Sequence, residues 1–577
     1  HHPTRDGAHS LAFPLSCSVY LPNGTATQVD FREVAPANAS KNMFVDSADP
    51  TADSVGGLSI AVPGEIAGLE YLYKNFGSGN VAWADLFQPA IELAKSSIVS
   101  PLLAQRIQEN KQYILQFPGL ESVFAPGGTL LQEGDTLLQP ALANTLATIA
   151  AKGAVEYYTG SIAVNITNDV AAVGGIVTMD DMAWFWENGV RVSEPLSTFF
   201  QGFEIIGAAP PFGGVCNALA LNLLEAFNLP LMGATSDLAQ HWIVEAFKFA
   251  FSDRMAEGDP QFNAMDEVVA AMTSKKHASY LRQRFNASTT FPFENYLDLV
   301  GGPPVDDKGT SHFSVIDPNG MAIALTTTVN TAFGSKILSP STGIVLNDEM
   351  ADFSSPNATN VFGLPPTDAN FIVPYKKYVH DRRCKEDVLL AHSLAHSLID
   401  NRPLSSMSPT VVLQDDELYM VVGGSGGPTI ITAVMQVLLG VLAYNEPIGE
   451  AITNPRLHNQ FTNETRVESN YLPAWINSLK SKHHNINLLP PETLLASVQV
   501  RHSRSGVQPQ AQTTIDDGRL TCIEHRASCA RQTAWRPRVI GARRACPQAS
   551  NKVEPAHPSL VFLLLSYPPI HPHPQYA

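Results

Sequence analysis

The chain has 577 residues, 44% of them hydrophobic and 16% charged, which describes a soluble globular protein with a large core or a few domains. A formal net charge of −17 argues against a general polyanion binder, because affinity for a phosphate backbone depends on clustered Lys and Arg, so no nucleic-acid partner is expected. The longest apolar run near the C-terminus, residues 560–565, is far short of the ~20 residues that span a bilayer, so no transmembrane helix is expected either.

In chain order, the opening HHPTRDGAHSLAFPLSC lacks a charged region followed by a sufficient apolar run, so it does not read as a signal peptide. Residues 64–76, 83–96, 140–153 and 237–254 then place apolar side chains at three- and four-residue spacing, which predicts amphipathic helices. Pro89 predicts a kink or restart in the second of them. After residue 310 the period changes. HFSVI, the turn DPNG and MAIALTTTV predict one β-hairpin; TVVLQ, DDE and LYMVV predict another. GGSGGP (423–428) then opens a buried helix over 429–444. The mixture predicts an α+β protein in which helices cover a sandwich of sheets.

Gly309 and Thr310 stand at the head of the first hairpin. A Thr hydroxyl is a weak nucleophile, but an α-amino group on the same residue, with a pKa of about 7.7 to 8.0, supplies the adjacent base it needs. One residue carries both roles if the chain is cut between Gly309 and Thr310.

Downstream of that pair come TTTVNTAFGSK (326–336), STGIVLNDEMADFS (341–354), RPLSSMSPT (402–410) and VVGGSGGPTIIT (421–432). Upstream come FREVAP (31–36), GGLSIAVPGEIAGLEYLY (56–73), FQPAIELA (87–94) and GGIVTMDDM (174–182). In this order the motifs resemble the γ-glutamyltranspeptidases, members of the N-terminal-nucleophile hydrolases, over roughly residues 29–470. The resemblance implies an αββα sandwich shared by two subunits of one precursor, 1–309 and a catalytic region over 310–490. It implies an autocatalytically cleaved zymogen that acts as transferase, acyltransferase, hydrolase or self-directed protease. Its substrates would be glutathione and other γ-glutamyl compounds, with amino acids, peptides or water as acceptors, in glutathione catabolism.

Site roles follow from the same resemblance. Thr310 matches the nucleophile, and Thr328 the hydroxyl that holds it. Arg32 matches the arginine that takes the substrate α-carboxylate, where a planar guanidinium suits two-point binding. Ser405 and Ser406 match hydroxyl donors to that carboxylate, and Asn330, Glu349 and Asp352 match acceptors for the ammonium group. Gly426 and Gly427 match the oxyanion-hole glycines, whose size lets backbone N–H groups approach a developing oxyanion. No cofactor or metal is expected: 423–428 lacks the Lys and Ser/Thr of a phosphate loop. Six glycosylation sequons, at Asn23, Asn38, Asn165, Asn286, Asn357 and Asn463, together with the resemblance favour a glycoprotein of the secretory pathway, whether extracellular, cell-surface or vacuolar.

Three regions depart from the pattern. Only about thirty unrelated residues precede Arg32, where a helix and a glycine-rich strand segment are expected. A 27-residue insertion occupies 375–401, with a repeated AHSL that reads as a short helix and three His without an ordered metal-ligand set. From about 491 the ending is foreign: between Arg501 and Ala577 ten Lys and Arg face four Asp and Glu, so the rest of the chain carries −23. That break reads as a translated intron or shifted frame, or as a disordered extension. Cys17, Cys216, Cys384, Cys522, Cys529 and Cys546 define no disulfide framework. The competing readings are a family member that cannot mature, and a related acylase with a different head-group clamp.

Overall fold

The structure, a computed structural model, describes residues 15–45, 47–292, 295–296, 309–373, 401–491 and 493–503, with the short strands Ile515–Asp516 and Arg519–Leu520. The AHSL repeat, the three His of the insertion, four of the six cysteines and the end of the chain lie outside the described residues. Two five-stranded antiparallel sheets form the centre. Their strands are, in chain order, β1 (Leu15–Tyr20), β2 (Ala26–Asp30), β3 (Arg191–Ser193), β4 (Leu196–Phe200), β5 (Phe203–Gly207), β6 (Thr310–Ile316), β7 (Ala322–Thr328), β8 (Thr410–Gln414), β9 (Glu417–Ser425) and β10 (Ser497–His502). The first sheet runs β3-β2-β1-β7-β6 and the second β10-β9-β8-β5-β4.

Period-2 alternation sorts the side chains into layers. Along β7, Ala322 and Ala324 face inward and meet Tyr20, Ile206, Val411, Leu413 and Val421 between the sheets. Ile323 and Leu325 face outward with Cys17, Val19 and Val29, against Leu72 of α1 (Glu65–Phe76). Behind that layer α2 (Trp83–Lys95) and α3 (Pro140–Lys152) pack together. Pro89 lies inside α2, which continues through it as one helix, so the predicted restart does not occur. The outer face of the second sheet, including Val412, Met420 and Val422, is covered by α4 (Gly214–Leu224), α5 (Asp237–Arg254) and α6 (Thr429–Leu438). Helices, two sheets and helices therefore stack in four layers. The predicted α+β sandwich of the αββα type is what the chain forms.

The β8–β9 hairpin turns on Asp415 and Asp416, both at positive φ (52° and 63°), the twist that two-residue hairpin turns require. Two sequence expectations change. The residues before Arg32 include β1, which lies in the middle of the first sheet between β2 and β7, with Ser16 opposite Asp30 and Thr326. The tail expected to diverge from 491 includes β10, which pairs with β9 from His502 opposite Met420 to Ser497 opposite Ser425. Both departures begin farther out than motif matching alone suggested, because a strand's identity rests on what it pairs with.

Candidate active site

Thr310 opens β6 and Thr328 closes β7, directly opposite one another, so both side chains share the inner face at one end of the sandwich. The Thr310 hydroxyl donates to Thr328 Oγ1 at 2.8 Å, and the Asn330 N–H donates to the same oxygen at 2.8 Å. The backbone at Asn330 turns at φ 73° to bring that N–H back. On the other side of Thr310, the Gly309 carbonyl accepts the Val329 N–H at 3.0 Å. A Cβ on Gly309 would come within 2.6 Å of the Asn330 and Thr331 carbonyl oxygens, so only glycine admits so close an approach.

His312, two residues along β6, is not an available base. Its Nδ1 lies 2.7 Å from Thr326 Oγ1 and its Nε2 3.0 Å from Ser314 Oγ, which itself donates to the Gln499 carbonyl. Burial pushes its pKa down to about 3, so the ring stays neutral.

Arg32 follows β2 and is fully buried. Its Nε donates to the Pro403 carbonyl at 2.8 Å and its Nη2 to the Leu404 carbonyl at 3.0 Å. The same Nη2 lies 3.2 Å from Glu349 Oε2 and pairs with Asp352 Oδ2. Among the described residues, Nη1 alone has no hydrogen-bond partner. Glu349 and Asp352 sit in one short helical turn, Glu349–Asp352. Burial raises both carboxyls above their ordinary range, with Arg32 pulling them back. Asn330 Nδ2 donates to the Asp348 carbonyl at 3.0 Å, one residue before that turn. Ser405 is buried, its N–H bonded to the Pro211 carbonyl at 2.8 Å, while Ser406 is partly exposed.

Gly426 (φ 135°) and Gly427 (φ 59°) carry the chain from β9 into α6. Thr429 Oγ1 donates to the Gly426 carbonyl at 2.6 Å, which folds the turn onto the helix start. A small cleft is lined by Thr310, Thr328, Asn330, Asp352, Arg32, Ser405, Ser406 and Gly427. Gly309, Glu349 and Gly426 are not in its wall but adjoin residues that are. Residues more than 370 apart in sequence thus share one cleft that offers a hydroxyl nucleophile, cationic and hydroxyl donors, and carboxylate acceptors. That set suits a zwitterionic amino-acid head group beside an acyl carbon.

Sequence reasoning missed Arg254, Asn360, Phe362 and Met407, which also line the cleft. A signal for Arg254 was present: it ends the predicted helix 237–254, and a basic residue there was readable only as a favourable partner for the helix dipole. Among the described residues, ligand atoms of His241, Glu245 and His484 come within 4.8 Å of one another, as a metal site would need. The Lys248 ammonium, however, lies 3.3 Å from Glu245 Oε1 and 3.5 Å from His484 Nδ1, and Tyr296 donates to Glu245 Oε2 at 2.6 Å. The place of a cation is taken by a side chain.

A family profile described as gamma-glutamyltranspeptidase matches residues 16–382 and 400–514, starting inside β1 and leaving a gap within the insertion. The chain is similar to glutathione hydrolase proenzyme 1 of Schizosaccharomyces pombe, 36% identical over 493 residues, 84% of this chain and 73% of that one. It is also similar to glutathione hydrolase 3 of Arabidopsis thaliana, 38% identical over 437 residues, 75% of this chain and 63% of the relative's length. The crystal structure of a cephalosporin acylase from Bacillus halodurans superposes with a TM-score of 0.70 at 19% identity, over 87% of this chain and 84% of that one. At that identity the likeness is one of fold.

Proposed function

The chain belongs to the gamma-glutamyltranspeptidase family, and from that premise we propose that Thr310 is the nucleophile of an enzyme that moves the γ-glutamyl group of glutathione and related compounds to amino acids, peptides or water. One observation carries the assignment. Thr310, at the head of a strand, donates a hydrogen bond from its hydroxyl to Thr328 inside a cleft that also holds Arg32, Asp352, Ser405 and Ser406. The sandwich is that of the N-terminal-nucleophile hydrolases.

Maturation comes first in the proposed sequence. Thr310 Oγ attacks the Gly309 carbonyl carbon, the C–N bond breaks as the amine takes up the proton, and water hydrolyses the resulting ester. The products are a Gly309 carboxylate and a Thr310 with a free α-amine. That amine then accepts the Oγ proton while Oγ attacks the substrate γ-carbonyl. N–H groups at the Gly426–Gly427 turn stabilise the oxyanion, and loss of one such donor costs about 3 kcal/mol in comparable sites. The leaving amine takes the proton, and water or an acceptor amine resolves the γ-glutamyl ester. The free Nη1 of Arg32 with Ser405 and Ser406 receives the α-carboxylate, and Asn330, Glu349 and Asp352 receive the ammonium.

The same reading makes residues 1–309 and 310–577 two subunits of one particle in the secretory pathway. Five of the six sequon asparagines are exposed, which leaves them open to glycosylation, and Asn286 is half-buried. No helix among the described residues is long and apolar enough to cross a membrane. Intact mass tests the proposal: active protein should separate under denaturing conditions into pieces of 309 and 268 residues for this chain. Thr310→Ala should remain uncut and release no glutamate from glutathione. Full activity in an uncut chain would overturn the mechanism.

A further inference from the structure

Residues 401–409 contain no helix and no strand before Thr410, so side-chain bonds shape the stretch that carries Ser405 and Ser406. Three consecutive carbonyls are each capped by an arginine. Pro403 and Leu404 are held by Arg32, and Ser405 accepts Arg254 Nη2 at 2.7 Å. With its N–H on Pro211, the Ser405 residue is gripped from both sides. Arg254 is itself only 1% exposed and ends α5, a helix buried in the core, so its guanidinium is a rigid anchor.

Two further facts give it more than a packing role. Its Nε and Nη1 have no hydrogen-bond partner among the described residues, yet the residue lines the cleft with Thr310. The buried Glu257, one turn beyond it, also has both oxygens without partners, and burial pushes its carboxyl up to about 8. Near neutral pH it is therefore protonated and does not cancel the guanidinium charge.

We infer that Arg254 is a positioning residue for donor recognition: it sets Ser405 and Ser406 toward the cleft, and its guanidinium, whose Nε and Nη1 are unbonded among the described residues, favours the α-carboxylate of the γ-glutamyl donor. This rests on the γ-glutamyl reading above. Arg254→Met and Arg254→Lys are compared with wild type on two anilides, the γ-glutamyl compound and the 4-aminobutyryl compound, which keeps the ammonium but lacks the α-carboxylate. For Arg254→Met, cleavage at Gly309–Thr310 should persist, KM for the γ-glutamyl anilide should rise at least tenfold, and kcat should change less than threefold. Arg254→Lys should fall between, since it keeps the charge and loses the fork geometry. Turnover of the 4-aminobutyryl anilide should be nearly the same in all three proteins.

Equal losses on both anilides, or an unchanged KM, would overturn the inference and leave the activity standing. Maturation arrested in both variants would overturn it too, because a role in donor recognition does not reach the cleavage step. A matured wild type that cleaves neither anilide would sink the γ-glutamyl reading and the inference together.

Discussion

Arg32 does two things with one guanidinium. Its Nε and Nη2 hold the Pro403 and Leu404 carbonyls and face Asp352 and Glu349, which leaves Nη1 for a ligand. Removing it exposes two buried carboxyls to each other and frees two loop carbonyls, and breaking such a buried pair from one side costs roughly 3 to 5 kcal/mol. Arg32→Ala should therefore lower the melting temperature as well as raise KM for γ-glutamyl substrates, and Arg32→Lys should not restore either, because one ammonium cannot span these acceptors. A melting temperature equal to wild type in Arg32→Ala would show that the 403–404 stretch is held by something else. At the same scale, Glu257 gives a pH dependence of definite sign. Its carboxyl is raised from 4.5 to about 8 by burial, so the folded state holds a proton that the unfolded chain releases above 4.5. Its contribution is present below 4.5, weakens at roughly 1.4 kcal/mol per pH unit above it, and is gone beyond 8. Relative to wild type, Glu257→Gln should gain stability steadily between pH 5 and pH 8 and no further above; parallel melting curves across that range would contradict the assignment.

At the scale of elements, the insertion is less disruptive than its length suggests. The described chain leaves at Val373 and returns at Asn401, and Asn401 ties the two points together: its Nδ2 donates to the Phe371 carbonyl at 3.0 Å and its Oδ1 accepts the Val373 N–H at 3.2 Å. Its own carbonyl accepts the Ala35 N–H, and Arg402 follows with bonds to Asp259, Asp30 and Gly189. Closure entropy grows only slowly with length, so with Phe371, Val373 and Asn401 tied together the length between them need not disturb the Ser405 register. Asn401, which the sequence pattern places at the end of the insertion, thus belongs to the folded core. Deleting 375–400 should preserve cleavage at Gly309–Thr310, whereas deleting 375–401 should reduce it; equal cleavage in the two deletions would remove Asn401 from this role. The long helices and both hairpins of the second half were legible because periodicity and turn residues are local. The hairpin of β4 and β5 was missed although FFQGFEII carries the cue, alternation around a two-residue turn with Gln201 and Gly202 at positive φ. β1 was missed as well, although it turns back on β2 through residues 21–25 with Asn23 and Gly24 at the bend; only its place beside β7, three hundred residues away, was not legible. The candidate site residues were proposed only through resemblance: nothing local brings Arg32 to Leu404.

At the scale of the whole molecule, the Gly309–Thr310 bond does not divide the fold where it divides the chain. The first sheet takes β1, β2 and β3 from before the bond and β6 and β7 from after it, and the second takes β4 and β5 from before and β8, β9 and β10 from after. Each sheet has one internal seam, β1 against β7 and β5 against β8, where the two pieces are hydrogen-bonded as neighbours. Cutting the bond leaves both seams and the core between them in place, so the cut protein should migrate as one particle under native conditions. Covalent connection, however, also supplies the effective concentration at which one half meets the other, and under the proposed maturation that is lost when the chain cuts itself. Before the cut, folding is a reaction of one molecule; afterwards, recovery from full unfolding is a reaction of two. Refolding yield of the uncut Thr310→Ala chain should be independent of concentration at high dilution, while that of the cut protein should fall with dilution, and equal yields would mean that the pieces carry separate folds. On that proposal the lifetime of the cut protein would be set by how slowly it unfolds, and not by how well it refolds.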